Sequence, residues 1–331
     1  MAAAIAISAC SAAYAAETPL AADEIPQVVI DPVDVFLSLS AFVGNSVGEG
    51  LTIYNNAKGK VPLGNATMLT RVSYSFLNDA GHATKFLPVF NGQPMQAKNA
   101  IKLCGAQYVF ICMGTNDLVG ATKVESAVER YKQYITGILA ENPTITIFIE
   151  SCTPTRPGSN VSNDKITQFN AYMQVYCDMF PNMFYVDIAT PLKDASGYLA
   201  AELTSDGSVH LTNKAYAIWA QTIRQYIANY LAAVAAQLQA EREAERAVAQ
   251  KNYEENMRRM QEKKQKMFEI RMQAKRDVEA AIEAKKKQEL LNVPDDAALI
   301  RTLTAKAKES AHDNKTEIAC AIPEIIEPNK Y

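Results

Sequence analysis

Histidine, net charge and paired cysteines are all scarce in this chain of 331 residues. It has only three histidines, His82, His210 and His312, so the residue type that most often acts as a general base near neutral pH has few candidates. The formal net charge of −3 gives no support to nucleic-acid binding, which normally relies on a basic surface. Six cysteines occur without a C-x-x-C pair or another metal-ligand spacing. The composition therefore predicts neither a nucleic-acid partner nor a metal centre.

Long apolar runs are also missing, and no segment after the N-terminus approaches the roughly 20 apolar residues that cross a bilayer. Residues 1–16 are mostly Ala, Ile and Ser, and Ala-Tyr-Ala at 13–15 resembles a secretory signal with its cleavage site. Residues 7–10 (Ile-Ser-Ala-Cys) also resemble a lipobox in which Cys10 would carry lipid. The first basic residue is Lys58, so the usual positive start is absent, and an alanine-rich disordered start of a cytosolic protein is the alternative. We expect an exported protein, extracellular or attached to the cell envelope.

A mixed Pro, Glu and Asp composition predicts a linker over residues 17–35. From residue 36 onward short apolar runs alternate with helical patterns, which is typical of a parallel sheet covered by helices on both faces. In such sheets, sites form beyond the carboxyl ends of the strands. The predicted strands are 41–44, 69–75, 108–113, 144–150 and 183–188, and the predicted helices are 47–56, 94–103 (with Pro94 in the first position), 124–142, 165–180 and a last one from about 212.

The C-terminal part has a different composition. No glycine follows Gly207, and 25 of the 50 residues from 241 to 290 are charged. We therefore divide the chain into a domain over 36–232, a long charged helix over 233–292 and a loosely ordered tail over 293–331. A sparse heptad pattern predicts self-association through a coiled coil, and a solvated single helix is the alternative. The residues of that pattern are Tyr253, Met257, Met260 and Met267.

Three short segments carry the residues of a hydrolytic site. Gly-Asn-Ser at 44–46 and Gly-Thr-Asn-Asp at 114–117 each follow a predicted strand, and Asp206 and His210 lie in the loop before the last helix. A serine hydroxyl becomes nucleophilic when a base takes its proton. His210 can be this base for Ser46, with Asp206 holding the imidazole in the required tautomer. The side-chain amide of Asn116 and the backbone N–H of Ser46 can stabilise the oxyanion.

These segments, in this order, resemble the conserved blocks of the SGNH/GDSL hydrolases, which are serine esterases. The resemblance covers about residues 36–232 and implies a flavodoxin-like three-layer α/β/α fold with a parallel sheet, here followed by a long C-terminal α-helix. It implies Ser46 as nucleophile, His210 as base, Asp206 as its orienting carboxylate and Asn116 as an oxyanion donor, with no metal and no cofactor. The family's second block supplies a glycine N–H to the oxyanion, and alignment of residues 70–75 places Ser73 there.

Two departures from the family pattern affect the predicted site. The usual Gly-Asp-Ser is Gly-Asn-Ser, which leaves the triad intact because that aspartate is not a member of it. The usual Asp-to-His spacing of three residues is four here, so an extra residue, Ser208 or Val209, must bulge if Asp206 is to reach His210. Without that bulge, the carboxylate misses the ring.

Each segment also has a simpler interpretation as a turn or helix cap. A phosphate loop is excluded because residues 44–50 lack the Gly-Lys-Ser/Thr ending. We expect a bacterial enzyme that cleaves an ester through an acyl-serine intermediate, on a small-molecule or glycan substrate, with a small acyl group such as acetyl by analogy with the family. The alternatives are an acyltransferase, or a non-catalytic cell-envelope protein that interacts through its helical arm.

Overall fold

The computed structural model describes residues 31–57, 62–291 and 301–307. Strands and helices alternate along the described residues from 31 to about 240, as the apolar pattern predicts. The strands are β1 Ser40–Gly44, β2 Thr67–Thr70, β3 Val89–Phe90, β4 Gln93–Pro94, β5 Tyr108–Cys112, β6 Thr146–Glu150 and β7 Met183–Val186. The helices are α1 Pro32–Ser38, α2 Ser46–Asn55, α3 Phe76–Ala80, α4 Ala97–Cys104, α5 Val124–Glu141, α6 Asn163–Cys177 and α7 Asn213–Leu291.

Five strands form one parallel sheet in the order β2-β1-β5-β6-β7, and β3 and β4 form a separate antiparallel hairpin. Every residue of β1 and β5 is buried, because helices cover both faces of the sheet. The side chains of successive strand residues alternate between two cores. One core packs against α3, α4, α5 and α6, and the other against α1, α2 and the start of α7. The predicted three-layer α/β/α fold is confirmed.

Several element boundaries differ from the prediction, and two of these differences have a clear structural reason. The predicted strand 69–75 ends at Thr70, because residues 71–74 form a turn in which the N–H of Tyr74 donates to the carbonyl of Arg71 (3.1 Å). Pro94 was expected at the first position of a helix. It pairs instead with Val89 in the hairpin, and α4 begins at Ala97.

The residues predicted as the end of the linker, 32–35, form the first turn of α1. The helix forms because the side chain of Asp31 accepts a hydrogen bond from the N–H of Val33 (2.9 Å) and Pro32 occupies the first turn. Its apolar face is buried, and Phe36 stacks on Tyr108 of β5 with 3.8 Å between ring centroids. The preceding residues, including Cys10 and the predicted signal over 1–16, lie outside the described residues.

The chain divides into two units, Met1–Gln239 and Ala240–Tyr331. In the first unit α7 buries Trp219, Ile223 and Ile227. In the second, the described helical residues are mainly exposed and carry i,i+4 ion pairs such as Arg259–Glu255 (2.8 Å), which stabilise an isolated helix weakly. Residues 301–307, within the predicted tail, are helical as well. Among the helices that are described, none is long and apolar enough to cross a membrane.

Candidate active site

Ser46 is the first residue of α2, directly beyond the carboxyl end of β1. Asn45 between them caps the helix, because its side-chain oxygen accepts a hydrogen bond from the N–H of Val47 (3.0 Å). The chain turns tightly here, and a Cβ on Gly44 would lie 3.0 Å from the Cα of Gly48. The Gly-Asn-Ser sequence therefore combines a close backbone approach, a helix cap and a partly exposed serine.

The structure brings Ser46, His210 and Asp206 together. The Nε2 atom of His210 lies 3.2 Å from the Oγ of Ser46, and its Nδ1 atom lies 2.6 Å from the Oδ2 of Asp206. The three groups therefore form a continuous hydrogen-bonded chain from hydroxyl to imidazole to carboxylate. This is the arrangement in which a base activates a serine and a carboxylate orients the base.

The four-residue spacing between Asp206 and His210 is accommodated by the bulge that the sequence requires. Oδ1 of Asp206 accepts hydrogen bonds from the N–H groups of Ser208 (2.8 Å), Val209 (3.0 Å) and His210 (3.1 Å). Gly207 has a φ of 68°, in the left-handed region that glycine adopts easily. The loop therefore wraps around one carboxylate oxygen and leaves the other free to reach the ring.

Asp206 is strongly acidic in this loop. Partial burial disfavours its charge, but hydrogen bonds from the His210 ring, the loop N–H groups and the Thr204 hydroxyl prevail, and the pKa of Asp206 falls from 3.8 to about 2. The carboxylate is therefore ionised at neutral pH. Thr204 belongs to none of the three sequence segments, and its Oγ1 lies 3.1 Å from Oδ1 of Asp206 and 3.0 Å from the carbonyl of His210. A hydroxyl two residues before an aspartate in a turn is the only sequence signal for this contact.

Asn116 lies in a single 3₁₀ turn, Thr115–Asp117, just beyond β5. Its Nδ2 donates to the carbonyl of Tyr74 (2.9 Å), and since a carboxamide has two N–H groups, one remains for a ligand. The adjacent Asp117 accepts hydrogen bonds from the N–H groups of Phe76 and Leu77 at the start of α3. Burial raises the pKa of Asp117 to about 6 against those hydrogen bonds.

Ser73 lies in the turn formed by residues 71–74. This turn is fixed at both ends, by the N–H of Arg71 donating to the carbonyl of Gly44 (3.1 Å) and by Asn116 donating to the carbonyl of Tyr74. Ser73 therefore lies at the same edge of the sheet as the Gly-Asn-Ser segment. Ser73 has a φ of 62°, a conformation that favours glycine. This agrees with its alignment to the family's glycine.

Among the described residues, the other histidine and the cysteines do not join this site. His82 is exposed in its loop, and His312 lies outside the described part of the chain. Cys112, Cys152 and Cys177 are buried and unpaired, and Cys104 is half-buried. Burial raises the pKa of the thiols of Cys152 and Cys177 to about 12, so both stay protonated. In the three described ranges, no cluster of His, Cys, Asp and Glu side chains could hold a metal ion.

The chain is similar to several known proteins. Residues 43–218 match the sequence model of the GDSL-like Lipase/Acylhydrolase family. No curated protein sequence matches. Among solved structures, a GDSL-like lipase from Bacteroides thetaiotaomicron is 20% identical, with a TM-score of 0.43 over 58% of this chain and 88% of that one. A carbohydrate esterase family 3 protein from Talaromyces cellulolyticus is 14% identical, with a TM-score of 0.43 over 58% and 96%. The catalytic domain of a Streptococcus pneumoniae peptidoglycan O-acetyltransferase is 17% identical, with a TM-score of 0.36 over 56% and 90%.

The family match spans more than half of the chain and contains all three segments that supply Ser46, Asn116 and the Asp206–His210 pair. The five-stranded parallel sheet between two layers of helices is consistent with it. The chain belongs to the GDSL-like lipase/acylhydrolase family, the SGNH/GDSL esterases.

Proposed function

We propose that this esterase cleaves its substrate through an acyl-Ser46 intermediate. The Oγ of Ser46 attacks the ester carbonyl carbon while Nε2 of His210 takes the hydroxyl proton, and the carbonyl π electrons move to oxygen. The resulting oxyanion accepts hydrogen bonds from the N–H of Ser46, the second amide N–H of Asn116 and the N–H of Ser73. Its collapse breaks the bond to the leaving alcohol, which takes the proton from His210. Water then repeats the sequence, releases the acid and restores Ser46.

One observation carries this proposal, the unbroken contact from Ser46 through His210 to Asp206 at 3.2 and 2.6 Å. Asp206, with a pKa of about 2, stabilises the imidazolium that forms during attack and keeps the ring in one tautomer. The geometry lies within the range in which proton transfer between heavy atoms takes place.

We propose a small acyl group on a large acceptor, such as acetyl on a glycan, as the substrate class. The side chains of His210 and Asp206 are 46% and 35% exposed, so bulky alcohols can approach the triad from solvent. A sugar hydroxyl could then also enter in place of water, which makes acyl transfer the second candidate reaction. Measuring the amounts of free acetate and of acetylated sugar acceptor formed in one reaction distinguishes hydrolysis from acyl transfer.

Hydrolysis of p-nitrophenyl acetate by the full chain tests the catalytic assignment. We expect Ser46→Ala to lose activity by at least about 10⁴-fold, in line with the loss of a nucleophile. Ser38→Ala is the matched control, because its hydroxyl bonds only the Val35 carbonyl on the exposed end of α1, and we expect it to keep the wild-type rate. Equal rates for Ser46→Ala and the wild type would eliminate the proposal.

We also propose export through residues 1–16, membrane attachment through Cys10, and self-association through the charged helix. Fractionation of cells that express the full chain, beside Cys10→Ser, tests the first two. A protein confined to the cytosol contradicts export, and an unchanged membrane fraction in the variant contradicts lipidation. Sedimentation of the full chain at rising concentration tests the third, and a monomer at every concentration contradicts it.

A further inference from the structure

The bulge in the 206–210 loop is held from outside by a second loop. Residues 156–159 form a turn after β6, in which the N–H of Ser159 donates to the carbonyl of Arg156 (3.2 Å). The N–H of Arg156 donates to the carbonyl of Ser208 (2.9 Å), and the hydroxyl of Ser208 donates to that of Ser159 (3.0 Å). Ser208 lies midway between Asp206 and His210, so two hydrogen bonds from the 156–159 turn fix the centre of the bulge.

The 156–159 turn is itself anchored. The Nη1 atom of Arg156 donates to Oδ2 of Asp194 (3.1 Å) and to the carbonyl of Leu199 (2.7 Å). The N–H of Leu199 in turn donates to the carbonyl of Thr155 (3.1 Å). Asp194 is fixed by accepting from the N–H groups of Ser196 and Tyr198. The guanidinium therefore joins the turn to a second, internally bonded loop.

The imidazole needs such support. His210 is 46% exposed and its partner Asp206 is 35% exposed, so the ring is not fixed by burial among apolar side chains. The extra residue lengthens the loop, and a longer loop has more conformations to lose when it is ordered. Catalysis by an oriented base is sensitive to displacement, since a shift of about 1 Å can cost on the order of 100-fold in rate. The contacts of Ser208 restrict this freedom.

We propose that Arg156, Ser159 and Ser208 are positioning residues, which hold the lengthened 206–210 loop so that His210 faces Ser46. The inference rests on the proposed catalytic role of these two residues. It adds a requirement that the Asp206–His210 pair alone does not contain: an intact 156–159 turn. The side chain of Arg156 acts at a distance, through its own backbone N–H and the carbonyl of Ser208.

The test is a kinetic comparison of positioning variants in the full chain with p-nitrophenyl acetate. We expect Ser159→Ala and Ser208→Ala each to lower kcat about 3- to 10-fold with KM unchanged, as for the loss of one hydrogen bond. The double variant should match the single ones, because both remove the same contact. We expect Arg156→Ala to lower kcat about 10-fold or more. Arg156→Lys should recover most of the lost kcat, since a single nitrogen of the arginine, Nη1, makes both side-chain hydrogen bonds.

Arg224→Ala is the matched control, because this arginine also pairs with two partners, Asp31 and Asp34. We expect it to lower the melting temperature and leave kcat unchanged. A second readout is the downfield proton resonance of the Nδ1–H of His210 bonded to Asp206, which should broaden or disappear in Arg156→Ala and remain in Arg224→Ala. Only three histidines occur, which simplifies its assignment.

The outcomes separate the two proposals. If Arg156→Ala and Ser159→Ala both keep the wild-type kcat and the His210 resonance is unchanged, the positioning role is overturned. Loss of activity in Ser46→Ala would still support the esterase mechanism in that case. Wild-type protein no more active than Ser46→Ala overturns the esterase mechanism instead, and the resonance then decides on positioning alone. The positioning role is also overturned if Arg156→Ala and Arg224→Ala lose kcat to the same extent for the same decrease in melting temperature.

Discussion

Glu150, at the carboxyl end of β6, is a buried carboxyl group. Its Oε2 accepts a hydrogen bond from the indole N–H of Trp219 (3.0 Å), and its Oε1 has no partner among the described residues. Burial raises its pKa from 4.5 to about 8, although the bond from Trp219 lowers it. The folded protein therefore holds Glu150 as a neutral acid at neutral pH, whereas the unfolded chain ionises it.

This difference makes stability depend on pH in a defined direction. Between pH 4.5 and 8 the folded state binds one more proton than the unfolded state at this residue, so the free energy of unfolding falls as pH rises. The slope is about 1.4 kcal/mol per pH unit, which amounts to roughly 5 kcal/mol across the interval. The contribution is fully present below pH 4.5 and is lost above pH 8. Glu150→Gln, which has nearly the same shape and no charge, removes this dependence.

Urea unfolding from pH 5 to pH 8, followed by circular dichroism, measures the effect. Asp79 and Asp117 also have raised pKa values and give slopes of the same sign, so the difference between wild type and Glu150→Gln isolates Glu150. We expect that difference to grow in favour of the variant as pH rises. Glu141→Gln, at an exposed residue paired with Lys102, is the control that leaves the slope over this range unchanged. Parallel curves for wild type and Glu150→Gln would refute a neutral Glu150.

Three further substitutions test the site and its support. Asp206→Asn should lower kcat on the order of 10⁴-fold, because the ring then prefers the wrong tautomer; a loss below 10-fold in p-nitrophenyl acetate hydrolysis contradicts the triad. Asn116→Ala should lower kcat about 100- to 1000-fold with little change in KM, as for one oxyanion donor; a change confined to KM contradicts this role. Gly50→Ala should cost about 1–3 kcal/mol in urea unfolding, since its Cβ would overlap the Oη of Tyr216. Gly137→Ala, whose Cβ meets only ordinary contacts, is its control, and equal stability of the two contradicts the packing argument.

The sequence predicted the sheet from local patterns, and it predicted the meeting of Ser46 with His210 from the order of three short segments and their resemblance to the SGNH/GDSL hydrolases. Apolar runs identify buried strands, and residues that follow parallel strands meet at one edge. The end of β2 was not predictable in the same way. Residues 71–74 carry strand-like side chains, but Ser73 adopts a left-handed conformation. The two ends of its turn, Arg71 and Tyr74, are hydrogen-bonded to Gly44 and Asn116. Those contacts join residues that are distant in sequence.

The contacts that support the 206–210 loop could not be predicted from the sequence either. The bulge between Asp206 and His210 was required by their spacing, but its contact with Ser159 spans 49 residues and has no local signature. Pro94 was misplaced for a different reason, since its pairing with Val89, only five residues earlier, is itself local and competes with a helix start that the sequence also allows. Local propensity identifies the elements, and tertiary contacts decide their limits.

Ser46 and His210, which touch across the site, are separated by 164 positions in the chain. The loop closed by their contact is among the longest in the domain, and contacts of such separation form only after much of the chain is ordered. Ester hydrolysis is therefore a sensitive reporter of refolding. Recovery of turnover after dilution from denaturant should lag behind recovery of helical signal, since the latter needs only neighbouring residues.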